Sequence, residues 1–198
     1  MSDLPTLRSL SGLPLEPSGL AESALVLIDC QNTYTYGTLE LDGVGAALDE
    51  AAALLDRART AGVPVIHIQH DAGPGSPYDI TAEIGAIHSS VAPRDGEPVV
   101  VKNFPNSFVQ TELDELLKAS DVSNLVLAGF MTHMCVNSTA RGAFNLGYAP
   151  TVVAAATATR ALPGVDGDVP AAAVHAAGLA AVADLFAVVV PNGAALPD

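Results

Sequence analysis

The chain has 198 residues, 49% of them hydrophobic, which suits one domain with a sizeable core and excludes a disordered chain. Eight basic against 22 acidic residues give a formal charge of -14, which argues against nucleic acid or an anionic membrane as the partner. No apolar run reaches the roughly 18 residues of a membrane span, and two cysteines, Cys30 and Cys135, are too few for a disulfide framework, so a reducing, cytoplasmic setting is expected.

Residues 1–22 lack the charged-then-apolar pattern of a secretion signal and read as an irregular arm. Residues 23–198 read as a single domain in which strand-like and helix-like stretches alternate. "ALVLID" (24–29) predicts a first strand, and the Ala/Leu-rich stretch 43–62 a helix stopped by Gly62. "VPVIHIQ" (63–69) is a second strand, followed by a Gly/Pro/Asp-rich loop over 70–96 that shapes a pocket. "EPVVVK" (97–102) is a third strand, 108–120 a helix, "NLVLAG" (124–129) a fourth strand and 133–147 a helix ended by Gly147. "APTVVAAA" (149–156), a helix over 169–184 and "LFAVVVP" (185–191) complete the series. Such alternation predicts an α/β fold, a mostly parallel six-stranded sheet between two helix layers, with right-handed crossovers. Ligands in these sheets bind beyond the carboxyl ends of the strands, where strand order reverses.

Three of those ends carry reactive groups. Strand 1 ends at Asp29, strand 3 at Lys102, and Cys135 follows strand 4 at a helix start. The chain has two lysines, Lys102 and Lys118, and Lys102 directly follows three valines, where an unpaired charge is costly. Asp29 is the natural partner. A thiol becomes a good nucleophile as a thiolate, which a helix N-terminus and an ammonium both favour. A carboxylate can take the thiol proton and return it to a leaving group, and backbone N–H groups at the turn can hold an oxyanion. The trio therefore suits acyl transfer to Cys135 followed by hydrolysis. Taken singly, each residue has a plainer reading: Cys135 a small core side chain, Asp29 only a charge partner for Lys102.

Three stretches carry a family resemblance. "LIDCQNTYTYGTLELDGV" (27–44), "VVVKNFPNSFVQTELDELL" (99–117) and "GFMTHMCVNSTARGAFNLGY" (129–148) resemble, in order and spacing, the motifs of the isochorismatase-like cysteine hydrolases, a superfamily that includes nicotinamidases, N-carbamoylsarcosine amidase, ureidoacrylate amidohydrolases and streptothricin hydrolases. The resemblance runs from about residue 23 to 191. It implies Asp29 as general base and acid, Lys102 as electrostatic partner and Cys135 as nucleophile. It also implies a cis peptide between Phe130 and Met131, an oxyanion hole from the N–H groups of Met131 and Cys135, a sheet order of 3-2-1-4-5-6 and a homo-oligomer. Metal-dependent nicotinamidases carry an Asp-x-His element after strand 2. Here His70, Asp71 and His88 do not follow that arrangement, so neither metal nor cofactor is expected. The presence of the cysteine favours C–N hydrolysis of a small amide, ureide or lactam over isochorismate ether cleavage or an idle binding protein. No glycine-rich nucleotide motif follows a strand.

Gln31, Tyr34, Phe104, Phe108, Phe130 and His133 are candidates for the substrate pocket. Gln31 either positions loop backbone or touches substrate, and His133 either lines the pocket or faces solvent. Tyr36 and Tyr78 are further aromatic candidates. Cys30, on the opposite strand face from Asp29, reads as core, as does His67; Thr132 reads as a helix cap.

Overall fold

The computed structural model describes residues 4–198. In chain order the regular elements are α1 (Leu7–Leu10), β1 (Ser23–Ile28), α2 (Val44–Ala61), β2 (Val65–His70), β3 (Val99–Lys102), α3 (Leu113–Ala119), β4 (Asn124–Phe130), α4 (Asn137–Asn145), β5 (Ala149–Ala158), β6 (Leu162–Gly164), β7 (Gly167–Val169), α5 (Ala171–Ala183) and β8 (Val188–Val190). Six strands form one parallel sheet in the order β3-β2-β1-β4-β5-β8. This is the expected 3-2-1-4-5-6 order, with β8 as the sixth parallel strand because the small β6–β7 hairpin intervenes.

The strand sequences explain their positions. Every residue of β1 is buried, as a continuous apolar run at the sheet centre requires. Alternate residues serve opposite faces: Leu25 and Leu27 join the cluster under α2, whereas Ala24, Val26 and Ile28 join the one under α3, α4 and α5. On β3, Val99 and Val101 are exposed while Val100 and Lys102 are buried, the alternation of an edge strand. Helix α2 packs Leu48, Leu54 and Leu55 on one face; Leu113, Leu117, Ala140, Ala143 and Val182 cover the other. Strand order reverses between β1 and β4, so the crevice expected to hold ligand lies above Asp29 and Phe130.

Three local features differ from the sequence expectations. The helix expected over 108–120 begins only at Leu113, because side chains divert the preceding backbone: Asn106 Oδ1 accepts from Phe108 N–H, Thr111 Oγ1 donates to Ser107 O, and Gln110 takes φ 57°. The stretch expected to begin a helix at 133 opens as a π-helical turn over Thr132–Val136, with Val136 N–H reaching Met131 O, before α4 takes over. The hairpin Leu162–Val169 follows a β5 that runs two residues beyond the expected 156. At the amino end, Thr6 and Ser9 form a capping box on α1, and Arg8 is buried. Its guanidinium donates to Leu185 O at 3.0 Å and Pro14 O at 2.6 Å, which seats the arm on the α5–β8 turn.

Candidate active site

Asp29 is the first residue after β1, with φ 51° and its N–H bonded to Ile68 O at 3.0 Å. Lys102 is the last residue of β3 and lies opposite His70 of β2 in the parallel register. Cys135 lies in the π-helical turn beyond β4. Strand register and that turn thus bring the three groups together. Lys102 Nζ is 2.7 Å from Asp29 Oδ2, 3.4 Å from Cys135 Sγ and 3.0 Å from His70 Nδ1. Two of the three ammonium N–H donors have hydrogen-bond acceptors, Cys135 Sγ and His70 Nδ1, and Asp29 is its ion-pair partner. The Asp29–Lys102 contact is close but off the line of a hydrogen bond, and neither carboxylate oxygen has another well-aligned donor. The carboxylate remains within reach of the Cys135 thiol.

Burial governs the electrostatics, since Asp29, Lys102 and Cys135 are 0%, 1% and 6% exposed. Desolvation raises the Asp29 carboxyl above its ordinary range, against the pull of the adjacent ammonium. The Cys135 thiol is pushed up to about 12, first by burial, then by the negative charge of Asp29, with Lys102 opposing. The Lys102 ammonium favours the thiolate as expected, but burial and the Asp29 charge outweigh it. A dry site containing a carboxylate keeps the thiol protonated, and the turn over Thr132–Val136 is π-helical. Moving the proton from Sγ to Asp29 leaves the site's net charge unchanged. Expelling it to solvent would bury an additional negative charge, at a cost of several kcal/mol.

The Phe130–Met131 peptide is cis. Phe130 and Tyr34 are buried and meet edge to face at 5.7 Å; Tyr34 meets Tyr78 at 5.9 Å, and their hydroxyls are 3.1 Å apart. Gln31 is buried with its amide engaged: Nε2 donates to His70 O and Gly85 O, and Oε1 accepts from His70 N–H. It holds the 70–96 loop to the end of β1. His133 Nδ1 bonds Thr159 Oγ1 beyond β5, Phe108 stacks on Tyr148, and Phe104 is exposed. Thr132 Oγ1 bonds His175 Nδ1 at 2.9 Å and makes no helix cap. His67 is buried with Nε2 on Glu97 at 3.0 Å, and Cys30 joins the core under α2. His88 bonds its own turn through Ser90 Oγ, and Asp71 Oδ1 accepts from Gly73 N–H; of the three groups weighed as metal ligands, His70 alone reaches the trio. Sequence reasoning weighed His70 only as a metal ligand and Tyr78 only as one more aromatic, and missed that their rings meet at 4.7 Å beside Lys102. The missing signal is the β2–β3 register, which pairs His70 with Lys102.

A parallel α/β/α sheet with a buried thiol, carboxylate and ammonium at its carboxyl edge is the architecture of an α/β cysteine hydrolase. Residues 23–192 match the isochorismatase domain, and the chain belongs to the isochorismatase family. The crystal structure of an isochorismatase from Pseudomonas putida is similar with a TM-score of 0.94 and 38% identity, covering 98% of this chain and 99% of that one. A secreted isochorismatase effector of Verticillium dahliae is 34% identical over 186 residues, 93% of this chain and 96% of its own. A ureidoacrylate amidohydrolase of Azorhizobium caulinodans is 31% identical over 176 residues, 69% of this chain and 78% of its own. Among the described residues, no helix is long and apolar enough to cross a membrane.

Proposed function

We propose that the protein cleaves a C–N bond of a small amide, ureide or lactam through an acyl-enzyme on Cys135. The contact of Lys102 Nζ with both Asp29 and Cys135, at 2.7 and 3.4 Å in a buried site, carries this reading. Asp29 takes the thiol proton as Sγ attacks the carbonyl carbon, and Lys102 holds both partners while negative charge passes from carboxylate to sulfur. The N–H groups of Met131 and Cys135 receive the oxyanion. The protonated Asp29 gives its proton to the departing nitrogen as the C–N bond breaks. Water then attacks the thioester, Asp29 takes its proton, and that proton returns to Sγ as the acid leaves. The amidohydrolase among the relatives supports a C–N bond as the target.

Release of ammonia or amine over a panel of small amides, ureides and lactams tests the reading, with Cys135→Ala alongside. Turnover is expected to fall by about three or more orders of magnitude in the variant; residual activity above about one percent would count against covalent catalysis. The two free cysteines favour a cytoplasmic setting, against the example of the secreted fungal relative, and cell fractionation decides between them. A homo-oligomer is the assembly we propose, to be read by light scattering.

A further inference from the structure

The strongest unassigned group is His70, half-buried at the end of β2 and beside the reacting trio. Its backbone is fixed on both sides: N–H to Gln31 Oε1 and C=O to Gln31 Nε2, each 2.9 Å. Its ring is fixed as well, Nδ1 lying 3.0 Å from Lys102 Nζ with the Tyr78 ring against it at 4.7 Å. A lysine ammonium only donates, so Nδ1 is an acceptor and the proton of the neutral imidazole sits on Nε2. Among the described residues Nε2 has no protein hydrogen-bond partner, and it is not a buried atom. The result is an unburied N–H donor on a ring held in place beside the Lys102 ammonium.

We propose that His70 is a substrate-positioning residue whose Nε2–H donates to an acceptor oxygen of the substrate beyond the scissile amide. The inference rests on the amidase reading of the same site and narrows its substrate class to amides, ureides or lactams with a second carbonyl or similar oxygen on that side. Burial and the Lys102 ammonium hold the ring's pKa down to about 4, and Asp71 opposes them. The ring is accordingly neutral across the physiological range, and its donor suits a neutral oxygen.

The test has two independent parts. Side-chain nitrogen–proton correlation spectra of the full chain, assigned with His70→Asn, read the tautomer. An Nε2-protonated neutral ring near pH 7 is expected, and an Nδ1-protonated or doubly protonated ring overturns the proposal. Propanediamide is then titrated into Cys135→Ala. The Nε2 resonance is expected to shift saturably, and propanamide, which lacks the second carbonyl, is expected to leave it in place; no shift, or equal shifts, overturns the proposal. Neither part needs turnover, so failure of the amidase reading is seen separately, as absent release from the wild type.

Where propanediamide is turned over, two variants separate the roles of the ring nitrogens. His70→Asn keeps an acceptor near Nδ1 and loses the distal donor, so KM should rise about tenfold with kcat nearly unchanged. His70→Gln keeps a donor near Nε2 and removes the acceptor for Lys102, so kcat should fall with KM nearly unchanged. Parallel losses of kcat and thermal stability in both variants would mean a merely structural histidine and sink the proposal.

Discussion

In the proposed mechanism Cys135 starts as a thiol, pushed up to about 12 chiefly by burial, and becomes nucleophilic as its proton passes to Asp29. This makes the two effects of Asp29 separable. Its negative charge raises the thiol, second only to burial. Asp29→Asn should therefore lower the thiol pKa and speed alkylation by iodoacetamide near neutral pH. The same change should cut turnover by about 100-fold or more, because the proton acceptor is gone. Slower alkylation in Asp29→Asn would contradict the electrostatic account. The trio itself was legible in the sequence because a lysine after three valines demands a partner, and Asp29 ends another strand. The protonation state was not legible, since it depends on how completely the site is dried and how the three charges are spaced. The engaged amide of Gln31 and the ring of His70 were equally hidden, because their partners come from β2, β3 and the 70–96 loop.

At the level of elements, β4 has to approach β1 closely where the site forms. Gly129 pairs with Ile28 in the register and takes φ 117°, just after the irregularity in its pairing with β5. A Cβ there would collide with the Ile28 backbone, and the left-handed φ disfavours any other residue. Gly129→Ala should destabilise the protein by about 3–5 kcal/mol in urea titration; a loss under about 1 kcal/mol would show that the two strands can separate at no great cost. The strands were readable because buried parallel strands are continuous apolar runs. The turns at 103–112 were not, because Ser107 N–H donates to Thr139 Oγ1 from α4 and the two hydroxyls share a hydrogen bond, a contact far away in sequence. The β6–β7 hairpin has three-residue strands with exposed faces and so leaves almost no apolar pattern to read.

On the scale of the whole molecule, one carboxylate ties three parts of the fold together away from the site. Glu97 accepts from Arg59 of α2 at 2.7 and 2.8 Å, His67 Nε2 of β2 at 3.0 Å and the Arg94 N–H at 2.8 Å. Its carboxyl is lowered to about 2, chiefly by the Arg59 hydrogen bonds, from an ordinary value of 4.5. A depressed carboxyl stabilises the fold above its unfolded pKa and loses that contribution as pH falls through the folded one. His67, lowered chiefly by burial, acts in the same direction below its ordinary 6.5, since acid charges the unfolded imidazole first. Wild type should exceed Glu97→Gln in stability by something on the order of 3 kcal/mol near neutral pH. That gap should close as pH falls from about 5 toward about 2, and a gap independent of pH would count against the charge network. The alternating elements were enough to give the layers, and the family resemblance the strand order, whereas this cluster depends on which helix covers which face.

If carbonyl chemistry passes through a covalent bond to Cys135, that bond exists during turnover. Intact-protein mass spectrometry of acid-quenched reactions, with any panel compound that yields ammonia or amine, tests it most directly. An added mass equal to the acyl portion of the substrate is expected on Cys135 during turnover, gone when substrate is exhausted and never formed by Cys135→Ala. Steady turnover with no adduct, together with activity retained in Cys135→Ala, would contradict it.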